Sequence, residues 1–339
     1  MSKDKNITID CCAFLNMLNY NDNFQKYNSK ARLNNLIREH EEIRDITTKQ
    51  IEKIMKPLLL KTKVSDDVPF EMKIKPCLTI LDRDIKNISD KIDGYAISLK
   101  KENIPEDKKK LLLEYKKIKE EDLKQLKETK SKFLSLIEKY SDMSQQLAVA
   151  DLYKMIINKE VKVFITPSVL EEIRTDTRYS PKMKKELLNR CYSVILSNNV
   201  DFDKKAKRLS EILRGHYPYN FVDREHPVAM EDAVNKSGKY TDSVLMAESN
   251  LLGLVLVTQN KKDFIYKTSD IKNNRIVGDS RRKTMESLFS KIEGCSDSLA
   301  YSPQEFTAGK YKEPTISTDF NKELKKEILI NIKGFQEKF

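Results

Sequence analysis

Tryptophan is absent from the chain, and histidine is scarce. His40, His216 and His226 are the three, and none stands at metal-ligand spacing from another. His-based zinc centres and His-centred nucleophilic triads are therefore not expected. The five cysteines, at 11, 12, 77, 191 and 295, are odd in number and show no C-x-x-C spacing, so neither a disulfide framework nor a zinc site is indicated. No apolar run approaches the ~18 residues that span a bilayer, and the start MSKDKNITID lacks the apolar core of a signal peptide. A reduced, cytoplasmic, membrane-free protein is the expectation. Glycine is also rare, with 8 in 339 residues, and 34% of the chain is charged, which leans the composition toward helix.

What is abundant is lysine. Lys and Arg number 63 against 52 Asp and Glu, a formal net charge of +11. A basic excess suits a polyanion, because each cation docked on a phosphate releases counterions. A general Lys, Asn and Ile bias accounts for the same numbers, so charge alone does not choose.

The stretch NITID, residues 6–10, reads as a short strand ending in Asp10, and CCAFLNMLN after it carries apolar residues at helical spacing. From 20 to 141 the character changes to long charged, amphipathic helices interrupted at Pro57, Pro69 and Pro76. Leu112, Leu126, Phe133 and Tyr140 recur at multiples of seven, with Leu123 and Ile137 on the neighbouring seam, the pattern of a coiled-coil-like arm. Strand and helix then alternate again: SQQLAVADLYKMIINKE as helix, VKVFITP as strand, SVLEEIR as helix, helical segments through 183–213, a loop over 215–227, TDSVLMAESNLLG as helix and LVLVT as a buried strand. NRIVG suggests an edge strand, 295–319 reads as loop, and a helix is expected from 320 to the end.

This predicts a discontinuous α/β domain over 1–19 and 142–294, an inserted helical arm over 20–141, and a C-terminal loop-and-helix extension over 295–339. Alternation implies a parallel sheet, whose sites lie at the carboxyl ends of its strands.

Acids gather at that edge. Asp10 ends the first strand; Glu171 and Glu172 open the helix after the second; Asp242 opens the helix feeding the third; Thr258-Gln259-Asn260 ends the third, with Asp263 close behind. Each has an ordinary reading: Asp10 and Asp242 as helix caps, Glu171 and Glu172 as first-turn acids, Asn260 as a turn former, Asp263 as a loop acid. Together they make an oxygen-only ligand set of the kind Mg²⁺ or Mn²⁺ takes, able to activate water for phosphoryl displacement.

The order ITIDCCAFLNML, FITPSVLEEI, GKYTDSVLMAES and VLVTQNKKDF resembles the PIN-domain family of metal-dependent nucleases, which includes many bacterial toxin ribonucleases. The matching blocks cover roughly 6–19 and 144–290. The resemblance implies a parallel-sheet α/β/α sandwich and a Mg²⁺- or Mn²⁺-dependent endoribonuclease acting on RNA, single-stranded RNA included. It selects Glu172 over Glu171 and assigns the metal to Asp10, Glu172 and Asp242, with Asp263 or the amide oxygen of Asn260 completing the site or orienting the attacking water. Arg174, Arg178, Lys261 and Lys262 lie near enough to hold phosphates, although each also reads as ordinary surface.

Three departures stand out: Cys11-Cys12 replaces small polar residues after the first acid, Asn260 is neutral, and the arm has no counterpart in the minimal family. They keep two other readings open. One is a scaffold that binds a protein partner or a second copy through the arm. The other is a structure-specific DNA nuclease, against which the mixed charge of the arm counts. Within the nuclease reading, the sequence does not say whether the enzyme is a toxin held by a cognate inhibitor.

Overall fold

The computed structural model describes residues 5–27, 30–62, 64–65, 68–101, 104–195, 199–216, 241–260, 264–265 and 280–325. The chain forms two compact units, one of Met1–Arg38 with Gln145–Phe339 and the other of Glu39–Ser144.

The first unit is α/β, built on five parallel strands: β1 (Lys5–Ile9), β2 (Val161–Ile165), β3 (Ser193–Val194), β4 (Val255–Val257) and β5 (Ala300–Tyr301), in the spatial order β3-β2-β1-β4-β5. Ile7 of the central strand lies opposite Val163 on one side and Val255 on the other. Ile7, Thr8 and Ile9, Val163, Phe164 and Ile165, and all of β4 are buried, so both faces of these strands are covered, as parallel sheets require. The strand order runs outward from β1 through β2 to β3, then returns to the other side of β1 for β4 and β5. The β1/β4 boundary is thus the point where the order reverses, and in such sheets sites lie at the carboxyl ends of the strands beside that point.

The helices of this unit are α1 (Cys11–Tyr27), α5 (Pro167–Thr175), α6 (Pro181–Leu188), α7 (Val200–His216), α8 (Thr241–Leu251), α9 (Ser280–Phe289), α10 (Pro303–Thr307) and α11 (Asp319–Lys325). Proline opens α5, α6 and α10, where its missing N–H costs nothing. The Ser180 hydroxyl caps α6, and Ser302 with Glu305 forms a full capping box on α10. Gly253 closes α8 at φ +63°, and a Cβ there would stand 2.7 Å from the Asn321 amide nitrogen, which donates to the Leu252 carbonyl at 2.6 Å. Gly253→Ala meets both a left-handed backbone and a close neighbour, so it is expected to lower stability by about 1–3 kcal/mol, read as a lower urea midpoint.

The second unit has its own small core. Helix α2 (Lys30–Leu59) supplies Ile51, Met55 and Leu58, α3 (Phe70–Leu99) supplies Cys77, Ile80 and Leu81, and α4 (Glu106–Ile157) supplies Phe133. Leu126, Ile137 and Tyr140 of the seven-residue seam pack on it; the Tyr140 hydroxyl donates to Glu71 at 2.7 Å. Pro57 lies in the last turn of α2 and Pro69 just before α3, while Pro76 is carried inside α3.

The boundaries differ from those expected. Residues 20–38 do not belong to the arm, because Leu33 and Ile37 are buried in the core of the sheet unit. The arm's last helix and the SQQLAVADLYKMII segment are one helix of 52 residues. Residues 295–319, expected as loop, contain β5, with Ala300 opposite Leu256 and Tyr301 opposite Val257. The Asn250 side chain donates to the Ser296 carbonyl at 2.9 Å and accepts the Ser296 N–H at 3.0 Å, pinning this segment to α8. It is therefore part of the sheet unit. The expected strand at 274–278, most of the loop at 215–227 and the end of the last helix lie outside the described residues.

Candidate active site at the carboxyl edge of the sheet

Asp10 follows directly on β1. Its N–H donates to the Val257 carbonyl at 3.2 Å, so the chain is still tied to β4 where the carboxylate begins. One oxygen, Oδ1, accepts the Ala13 N–H at 2.7 Å and caps α1. The other, Oδ2, accepts the Thr258 hydroxyl at 2.6 Å and the Gln259 N–H at 3.2 Å. Thr258 Oγ1 accepts the Asn260 N–H at 2.9 Å, so the polar end of β4 is wrapped around this acid. That is why a buried apolar strand stops at Thr-Gln-Asn.

Asp10 is 4% exposed. Burial raises its pKa, and the hydrogen bonds from Thr258, Ala13, Gln259 and Asn260 work against that rise. All four donors are neutral, and Oδ1 keeps a lone pair. The capping role and the site role thus fall on one carboxylate.

Asp242, in the first turn of α8, is half-buried, and its Oδ2 accepts the Asn260 side-chain N–H at 2.9 Å. Asn260 turns its amide nitrogen to the acid, since an ionised carboxylate only accepts. Glu172 on α5 is half-buried, whereas the Glu171 side chain is 65% exposed and lies 3.9 Å from Arg174. Burial therefore makes the same choice between the two glutamates as the motif.

Two thiols at the start of α1 report on the charges around them. Burial pushes Cys12 up to about 12, and Asp10, Glu172 and Asp242 push it the same way while Arg178 opposes them. Cys11 is raised by burial, then by Glu172, Cys12, Asp10 and Asp176. Both shifts are toward the protonated thiol, although Cys12, unlike Cys11, is exposed at the surface. Asp10, Glu172 and Asp242 thus all lie within electrostatic range of the Cys12 thiol, at an edge we call the acid pole. They do not form a closed coordination sphere: among the described residues, no three His, Cys, Asp or Glu side chains stand in joint reach of one ion. Asp263, Lys261 and Lys262 lie outside the described residues.

Arg178 is the nearest candidate for phosphate. Its Nε lies 2.7 Å from Asp176 Oδ2, and its side chain is 68% exposed. The Asp176 side chain is only 11% exposed and also accepts the Arg178 N–H at 3.0 Å, so this is a partly buried pair with the guanidinium on its outer side.

The donor chemistry fits a hard divalent cation. The three acids offer oxygen donors only, and the most buried of them, Asp10, has neutral hydrogen-bond donors while burial raises its pKa.

The sequence reading missed one acid. Glu248, on α8, is 4% exposed; its Oε2 accepts the Ser168 hydroxyl at 2.5 Å and the Ser168 N–H at 3.3 Å. Ser168 Oγ in turn lies 3.3 Å from Thr166 Oγ1. Burial pushes Glu248 up to about 7, against the pull of Ser168 and Thr166, with Asp203 adding to the rise. The available signal was a lone acid inside SVLMAESNLL, a helix otherwise free of charge after its first turn.

The folded state holds on Glu248 a proton that the unfolded chain releases above 4.5. This group's contribution is therefore fully present below that value and is lost as pH rises toward 7. The wild-type urea midpoint is expected to show this downward component over that window, and Glu248→Gln to remove it.

No family model matches the chain, and comparison with curated proteins and with solved structures finds no match.

Proposed function

We propose that the protein is a divalent-cation-dependent endoribonuclease, a PIN-like α/β/α sandwich carrying a coiled-coil-like helical insertion and working in the cytoplasm. One observation carries the reading: a buried carboxylate with only neutral donors sits at the switch point of a parallel sheet and is linked through Thr258 and Asn260 to a second acid. Asp10, Asp242 and Glu172 are the residues to hold Mg²⁺ or Mn²⁺. The ion, when bound, supplies a water of lowered pKa and positive charge against the phosphate. The chain's own part is orientation. Thr258 and Gln259 fix the Asp10 carboxylate, Asn260 fixes that of Asp242, and Arg178 presents its guanidinium to a phosphate oxygen. Asp263 is assigned to complete the site or orient the water. The net charge of +11 supports a polyanion substrate, and RNA rather than DNA rests on the resemblance alone.

A second reading, an interaction protein working through the helical unit, is favoured by a different observation. Ile97, Leu111, Leu113, Tyr115 and Ile118 are exposed on that unit, and no three acids are in joint reach of an ion among the described residues.

The deciding experiment incubates the full chain with labelled single-stranded RNA and DNA in Mn²⁺ or in EDTA. Mn²⁺-dependent RNA cleavage is expected. Cleavage indifferent to EDTA overturns the proposal, and faster cutting of DNA redirects it to a DNA nuclease. A protein that cuts neither and forms oligomers that Leu113→Lys dissolves is the interaction protein of the second reading.

A further inference from the structure

Among the described residues only two acids are fully buried, Asp10 and Glu248. The proposed reaction uses the first. The second lies outside the pole, and an apolar side chain of similar size fills such a position without the cost of desolvating a carboxylate. Its use is best read from what it joins.

Glu248 belongs to α8, the helix that presents Asp242, and it grips the N-terminal turn of α5, the helix that presents Glu172. Ser168 and Glu172 are four residues apart, on one face of α5 and one turn from each other. Asp242 precedes Glu248 by six residues, about 9 Å of helix rise. The Glu248–Ser168 contact therefore lies within two turns of both acids. It also completes a circuit. Asp10 is tied through Thr258 and Asn260 to Asp242, α8 leads from Asp242 to Glu248, Glu248 holds Ser168, and α5 leads from Ser168 to Glu172. The β1–β2 pairing, with Thr8 opposite Phe164, joins the two ends. Ser243 meets Ser210 of α7 at 3.0 Å, which steadies α8 from its other side.

We propose that Glu248 is a positioning residue of the acid pole: by holding the start of α5 against α8 it sets the separation of Glu172 from Asp242, and so the fit of the cation. The proposal rests on the nuclease reading for its consequence in metal binding, and on geometry alone for the helix coupling.

Two measurements separate these. In metal-free protein, backbone amide resonances of Ser168, Glu172 and Asp242 are followed by NMR between about pH 5.5 and 8.5. Besides the hydroxyls of Thr166 and Ser168, Asp203 of α7 is the charged group acting on Glu248. All three amides are expected to shift together, with a midpoint near 7, and Glu248→Gln to remove the shared step. A response at Ser168 alone, with Glu172 and Asp242 unmoved, overturns the proposal. In the second measurement Mn²⁺ binding is titrated by electron paramagnetic resonance. Glu248→Ala and Ser168→Ala are expected to weaken it roughly tenfold, and Glu248→Gln, which keeps an acceptor for the Ser168 N–H, to weaken it less. Wild-type affinity in both truncated variants, with unfolding midpoints showing both folded, also overturns it. If the wild type binds no Mn²⁺, the nuclease reading fails, and the NMR result still decides the coupling.

Discussion

Asp242→Asn is expected to reduce Mn²⁺-dependent RNA cleavage by two orders of magnitude or more while leaving the urea midpoint close to that of the wild type. The change removes one charge from the proposed ligand set. Losing several kcal/mol of charge stabilisation, at about 1.4 kcal/mol per tenfold, gives a drop of that size. Stability is spared because Asp242 is only half-buried and an Asn oxygen can still accept the Asn260 amide N–H. Asp10→Asn is the informative contrast. Its two oxygens accept from Ala13, Thr258 and Gln259, and an amide nitrogen in place of either oxygen faces a backbone N–H. It is therefore expected to lose activity and about 1–3 kcal/mol of stability together. Full cleavage by folded Asp242→Asn protein removes Asp242 from the site.

Arg282→Ala is expected to cost about 3 kcal/mol, the largest loss of stability from any single exchange considered. Arg282 is buried beside β5, where its Nε donates to the Ala300 carbonyl at 2.9 Å. One terminal nitrogen reaches both Glu305 oxygens, at 3.0 and 2.9 Å, and the guanidinium lies 4.2 Å from the centre of the Tyr301 ring. Glu305 itself accepts the Ser302 N–H at 2.8 Å in the capping box of α10. Truncation takes the cation from a half-buried carboxylate, which keeps only the neutral Ser302 donors, and the side-chain donor from the Ala300 carbonyl. The value sits at the low end for a buried pair because the Glu305 side chain keeps 23% of its exposure. Lysine is expected to restore little, since it lacks the planar fork. The pair Arg282→Met with Glu305→Gln is expected to recover most of the loss, because no charge is then left unpaired. Urea unfolding of the wild type and the three variants is the check, and a near-neutral Arg282→Ala removes the pair from the stability of the edge.

The elements legible in the sequence are those whose residues carry their own signal. β1, β2 and β4 are apolar, β-branched runs, and Asp10 stands at a strand-to-helix joint that only a few residue types fill well. β3 and β5 are two residues each, too short to show a period of two, and they exist because a neighbouring strand offers its free edge. The stripe that carries Leu33, Ile37 and Ile51 is continuous, yet its upper part packs in the sheet core and its lower part in the helical core. Periodicity gives the apolar face of a helix and leaves the neighbour open. Glu248 lies inside a buried helix, where sequence pattern gives an acid no role, whereas Asp10 and Asp242 stand at a strand end and a helix start and Glu172 early in a helix, places that mark an acid by themselves.

Ile7 lies opposite Val163 and Val255, about 150 and 250 residues further along the chain. The central strand therefore has no partner until about half of the chain has been synthesised and lacks its second, β4, until about three quarters has, and closing loops of that length is slow and entropically costly. Glu39–Ser144 needs no such wait, because its core draws on three helices that follow one another directly. Pulse-labelled hydrogen exchange during refolding is expected to protect Ile51, Ile80 and Phe133 first and the amides of β1 last. On that schedule the acid pole is assembled last, once β4 has joined β1, and a nascent chain lacks it until then.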